Sequence, residues 1–145
     1  MEIKGLNTVL SQLRQYGKEA EKDIEGVTEL VARKIEGYAK SSAPTDLGKL
    51  GQSIKAVKET PLNWTIEAGG TLAPYAPFVE FGTGGLVDVP QELQEQAIKF
   101  KGKGIKQINL RPRPYLYPAL IRGRSEYLEK LKKILEKYGK SVKAR

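Results

Sequence analysis

The chain of 145 residues predicts an α+β fold, on three observations. An apolar stripe of helical period fills its first 38 residues. Two short runs of alternating character follow, separated by a turn. A second helical stripe closes the chain after a proline-rich stretch. Helix, hairpin, irregular segment, helix is an α+β order, with a small antiparallel sheet between two amphipathic helices. The length suits one domain with one real core.

The first stripe runs Ile3, Leu6, Leu10, Leu13, Gly17, Ala20, Ile24, Val27, Val31, Ile35, Tyr38. Steps of three and four put these residues on one face of a long amphipathic helix. Unbroken, that helix would be roughly 57 Å long at 1.5 Å per residue. Gly17 lies on the stripe, and glycine inside a helix costs about 1 kcal/mol relative to alanine. The spacing therefore predicts either a break near Tyr16–Gly17 or a close helix crossing there. Pro44 disfavours helical geometry in the residue before it, so the helix should end near Ser42.

"SSAPTDLG" is turn chemistry, and "SIKAVKET" and "NWTIEAGG" read as two strands of a hairpin joined through "ETPLN". Leu62, Trp64, Ile66 and Ala68 alternate with polar residues, which buries one face and places Trp64 in the core. "VPQELQEQAIKF" suits a short helix with Pro90 in its first turn. "KGKGIKQINL" reads as an exposed, mobile loop. "RPRPYLYPAL" excludes regular helix before Pro118. After it Leu120, Tyr127, Leu128, Leu131, Ile134, Leu135 and Tyr138 form the second amphipathic stripe, and "GKSVKAR" reads as a frayed basic tail.

Cysteine and histidine are both absent. Disulfides and thiolate metal sites are thereby excluded, with the usual general base and the commonest transition-metal ligand. No Asp/Glu cluster has the spacing of a magnesium or calcium site, so no metal and no cofactor is expected. No apolar run approaches the roughly 20 residues that cross a bilayer, and "MEIKGLNTVL" has no signal-peptide core, so no membrane association is expected. Net charge is +8, and eight Lys or Arg with no Asp or Glu lie between Gln96 and Ser125. The plain reading is a solvated basic face; the sharper one is a surface that meets nucleic acid or an acidic partner.

The densest stretch is "APYAPFVEFGTGG", Ala73–Gly85, with two prolines, three aromatics, one carboxylate and three glycines. It reads as too broken for a regular helix and too apolar for a surface loop. "GTGG" lacks the Lys-Ser or Lys-Thr of a phosphate loop and the spacing of a dinucleotide loop. Glu80 is expected to be held by a basic partner or by backbone N–H groups rather than to act as an acid. A structural elbow explains more. Pro74 and Pro77 fix the chain around Tyr75, Phe78, Val79 and Phe81 need cover, and the glycines let the backbone turn. Such sparse charge among aromatics is also what an interface centre favours.

"APTDLGKLGQSI" (Ala43–Ile54), "YAPFVEFGTGG" (Tyr75–Gly85) and "RPRPYLYPAL" (Arg111–Leu120) together resemble, in order and spacing, the head–tail joining or tail-completion neck proteins of long-tailed bacteriophages and prophages. Leu47 stands where that family has Thr, and Gly51 where it has a basic residue. The resemblance implies a single neck or tail-completion domain over 1–145, with a variable basic loop at about 86–110. It implies a non-enzymatic virion protein, present in the host cytoplasm during assembly, between the head-closure and tail-terminator proteins. There it would form a homo-oligomeric ring around the DNA channel, a hexamer being one candidate. On that reading Tyr75, Phe78, Glu80, Phe81, Arg113, Tyr115 and Tyr117 meet a subunit or partner. Lys99, Lys101, Lys103, Lys106 and Arg111 face DNA, without reading bases, or an acidic partner. Two other classes stay open, a non-specific nucleic-acid-binding protein and a small hydrolase of unknown type. The missing His and Cys argue against the second.

Overall fold

The computed structural model describes residues 17–45, 48–101, 103–104 and 106–143, with the side chains of 92, 96, 99–101 and 140–143 outside that description. Ile3, Leu6, Leu10 and Leu13 of the expected stripe, and Leu47, therefore lie outside the described residues. The elements are α1 (Lys18–Ser42), α2 (Gly48–Ser53), β1 (Lys55–Thr60), β2 (Asn63–Glu67), α3 (Ala76–Phe81), β3 (Val87–Asp88), a 3-10 turn (Gln91–Leu93), α4 (Gln94–Lys101), β4 (Gln107–Ile108) and α5 (Leu116–Lys143). This is the α+β order, with a long helix, a small antiparallel sheet and a closing helix.

The chain forms two compact units. Among the described residues, the first draws on 17–35, 56–66 and 121–143, the second on 36–55 and 67–120.

In the first unit, α1 starts directly after Gly17, whose φ of 86° is not helical. α1 therefore does not run back through Gly17, and the part of the stripe before it lies outside the described residues. Glu19 and Glu21 in the first turn complement the positive end of the helix dipole. Ala20, Ile24, Val31 and Ile35 of the stripe are buried, as are Tyr127, Leu131 and Ile134 of α5. The two helices run antiparallel here. Thr28 meets Tyr127 through a 2.9 Å hydroxyl–hydroxyl bond, Lys34 meets Glu126 at 2.9 Å, and Asp23 accepts from Lys137 and Tyr138 at 2.9 and 2.8 Å. Leu128, placed on the stripe by its spacing, is instead exposed, because it sits outside the arc that holds Tyr127 and Leu131. Trp64 is half-buried rather than in the core: the Arg33 guanidinium lies 5.4 Å from the centre of its ring, in reach of a cation–π contact.

In the second unit, Ala39, Leu50, Ile54, Ala73, Tyr75, Val79, Val89, Leu93, Tyr115 and Ala119 are among the buried residues. Two expectations change. The lysine-rich loop is not wholly irregular, since Gln107–Ile108 pairs antiparallel with Val87–Asp88. Ile108 stands opposite Val87 and is buried. The Val89 N–H adds a bond to the Lys106 carbonyl at 2.9 Å, and the Gln107 side-chain amide donates to Asp88 at 2.8 Å. Of "GKSVKAR", expected as a frayed tail, residues 139–143 are helical, since α5 continues to Lys143, and the last two lie outside the described residues.

Candidate functional site

Ala73–Gly85 contains a helix after all. α3 covers Ala76–Phe81 with Pro77 in its first turn, where a missing N–H costs nothing because the first helical N–H groups have no intrahelical acceptor. It stops at Gly82 (φ 70°, ψ −171°), whose N–H still donates to the Phe78 carbonyl at 2.9 Å. A Cβ at Gly82 would lie 2.7 Å from the Leu110 carbonyl oxygen and 2.9 Å from the Pro112 nitrogen. The elbow and the chain before α5 therefore touch backbone to backbone.

Polar bonds join the two segments across that contact. Arg113 N–H donates to the Val79 carbonyl at 2.8 Å, and Thr83 N–H to the Leu110 carbonyl at 3.1 Å. The Thr83 hydroxyl accepts from Leu110 N–H at 3.0 Å and donates to the Gly85 carbonyl at 2.6 Å. The centre is Glu80, a buried residue. Its carboxylate accepts the N–H groups of Tyr115 (2.8 Å), Leu116 (3.0 Å) and Tyr117 (2.8 Å). These donors open α5 and have no helical acceptor of their own, so one side chain from a distant segment caps the helix and meets its dipole. The helix can thus start at Leu116, two residues before Pro118, where the prolines had set its earliest start.

The first motif reaches the same unit. The Ser53 hydroxyl donates to the Leu50 carbonyl at 2.7 Å and accepts Gly69 N–H at 3.0 Å. Tyr75 bonds to the backbone of Leu50, and burial raises its hydroxyl pKa despite that bond. Tyr115 is almost wholly enclosed. Burial first, then the nearby Glu80 and Tyr75, push its phenol up to about 12. With its ring enclosed and its N–H on the capping carboxylate, Tyr115 packs the start of α5.

Residues expected at an interface thus divide into two sets. Tyr75, Glu80 and Tyr115 are buried and engaged within the chain. Phe78 is half-buried. Phe81 is 75% exposed and Tyr117 56% exposed, and the backbone of Arg113 is fixed by Val79. Phe81 follows Glu80 in sequence, and the Tyr117 backbone N–H is bonded to its carboxylate, so both exposed rings stand on the backbone next to that cap. Lys103, Lys106 and Arg111 are exposed, whereas the side chains of Lys99 and Lys101 lie outside the described residues. Among the described residues no group of three or more possible ligands could hold a metal, and no helix is long and apolar enough to cross a membrane.

A family model with the description "Bacteriophage HK97-gp10, putative tail-component" matches residues 7–82, more than half of the chain. The chain belongs to this HK97-gp10-like family. The match takes in α1, the Ser53 motif, the hairpin and the elbow as far as Gly82. The family assigns the chain a structural role among phage tail components and a place in the virion. No curated protein and no solved structure matches the chain.

Proposed function

We propose that this family member is a non-enzymatic neck protein that joins the DNA-filled head to the tail, as a ring of copies between the head-closure and tail-terminator proteins. The observation that carries the reading is the pair Phe81 and Tyr117, large rings left in solvent on a backbone held rigid by Glu80. Aromatic side chains that lose little freedom on binding make strong interface anchors, and a pre-set backbone lowers the cost of association. The exposed Lys103, Lys106 and Arg111 would meet phosphates of DNA in the channel or an acidic neighbouring ring, by charge density rather than by base recognition.

The test is complementation of a phage lacking this gene with the Phe81→Ser, Tyr117→Ser double variant. Exposed substitutions of this kind change stability by only about 0.5 kcal/mol, so the melting temperature should barely move. Filled heads and separate finished tails should accumulate, counted by microscopy. Normal numbers of joined particles would remove the elbow from head–tail joining.

A further inference from the structure

Gly26 stands inside α1 of the first unit, where glycine is less favourable than any residue but proline. The fold of the chain does not require it: the backbone there is helical, and a Cβ would meet nothing within 4 Å. It is exposed, and so are Glu19, Lys22, Leu30 and Arg33 on the same face of the helix. Leu30 is a large apolar side chain left 46% in solvent. An exposed notch beside an exposed leucine suits a close helix crossing, because a missing side chain lets two backbones approach.

The stripe is symmetric about the glycine. From Glu19 to Arg33 its steps run three, four, four, three, so its spacing reads the same in either direction. Laid antiparallel against a second copy about Gly26, Glu19 stands level with Arg33, Lys22 with Leu30, and Gly26 with itself. Each carboxylate then meets a guanidinium, and each leucine packs on the aliphatic stem of a lysine beside the other copy's notch. Arg33 is already placed for this. Its Nε donates to Glu29 at 3.1 Å, its guanidinium lies over the Trp64 ring, and its side chain is still 61% exposed. Five N–H donors leave it room for a second carboxylate. A slip of one turn that centres the pair on Lys22 would set two lysines face to face and Glu19 level with Glu25, like charges in both places.

We propose that two copies of this chain associate by antiparallel packing of their α1 helices across Gly26. The occupant of this face is a second copy because the face supplies its own complement, a carboxylate for the guanidinium and a notch for the leucine. All five residues lie within the first unit. The contact is isologous and closes on two copies, so it does not build a ring and stands independently of the joining role.

Sedimentation equilibrium of the full-length protein should show a monomer–dimer equilibrium at submillimolar concentration. Gly26→Leu separates the fold from the contact. With open space over the position, the variant should melt no lower than the parent, since leucine favours helix more than glycine does. It should nonetheless be monomeric, because the new side chain holds the two backbones apart. Glu19→Arg alone should weaken the dimer about tenfold, since both symmetric pairs become repulsive. Glu19→Arg with Arg33→Glu should restore it, a rescue that loss of the Trp64 contact would not give. A parent monomeric into the millimolar range, a Gly26→Leu variant that dimerises as the parent does, or a dimer indifferent to the charge exchange would each overturn the proposal.

Discussion

The elbow around Glu80 and the α1–α5 helix pair of the first unit hold together by opposite means. In the helix pair, apolar stripes carry the packing and polar contacts are separate additions. Thr28 meets Tyr127, Lys34 meets Glu126 and Asp23 meets Lys137, spread along the pair. In the elbow no stripe exists, and one carboxylate takes three backbone donors while neighbouring carbonyls and a threonine hydroxyl take the rest. The first arrangement tolerates loss by degrees. The second has a keystone, because Glu80 at once caps α5, stands beside Tyr115 and holds the backbone N–H of Tyr117.

The elbow is most directly undone at Glu80. Glu80→Ala would leave three N–H groups at the start of α5 without an acceptor and a small void under Tyr115. Removing an acceptor of this kind is expected to destabilise by about 3–5 kcal/mol. Glu80→Gln keeps one oxygen and should fall between. Chemical denaturation measures both. A loss below about 1 kcal/mol for Glu80→Ala would mean that Arg113, Thr83 and Leu110 hold the elbow without it.

Each region also has a glycine whose Cβ would clash, and the two differ in what they would meet. A Cβ at Gly82 meets backbone atoms of Leu110 and Pro112, in a conformation that other residues rarely adopt, so nothing nearby can yield. A Cβ at Gly123 on α5 would lie 2.1 Å from Cγ1 and 2.5 Å from Cδ1 of Ile35, a side chain that can shift. Gly82→Ala should cost about 3 kcal/mol, and Gly123→Ala about 1–2 kcal/mol. Ile35→Ala should relieve the second, so that the double variant is more stable than the sum of the single losses. Additive losses there would show that Gly123 matters for backbone reasons, as Gly82 does.

How legible each region was follows from the same difference. The helix pair could be read because steps of three and four report burial directly, and Ala20, Ile24, Val31 and Ile35 are where the period put them. Gly17 and Pro44 marked the ends of α1 because their backbone restrictions are local. Trp64 and Leu128 were placed too deep, since alternation says which face a residue takes but not what covers it. At the elbow, the sequence showed that Glu80 among apolar residues needed donors, but not which ones. A signal was present: no Ser, Thr, Asp or Asn precedes α5 between Arg111 and Tyr115, so that helix lacked a local cap and needed an acceptor from elsewhere. Linking the two facts requires knowing that residues 80 and 115–117 meet, and no local pattern encodes that contact. The short β3–β4 ladder escaped for the same reason.

The smallest effect belongs to the helix pair, at Asp23. Its hydrogen bond from Lys137, and then that from the Tyr138 hydroxyl, hold its carboxyl below the ordinary 3.8. A carboxylate with a lowered folded value adds stability that is fully present above its unfolded value, near pH 4, and is lost as pH falls through the lower folded one. Its side chain is 40% exposed and that of Lys137 64%, so solvent and salt screen the pair and Asp23→Asn should lower the melting temperature less than either glycine change. The two donors can be told apart. The effect of Lys137→Met should fade with added salt, whereas that of Tyr138→Phe should persist, because a neutral hydroxyl bond is little screened. Melts of all three variants at neutral pH should differ from the parent, and the Asp23→Asn difference should close as the pH is taken below 4. A difference that survives there would mean that Asp23 acts through packing against Tyr138 rather than through its charge, and the helix pair would then share the elbow's dependence on a single side chain.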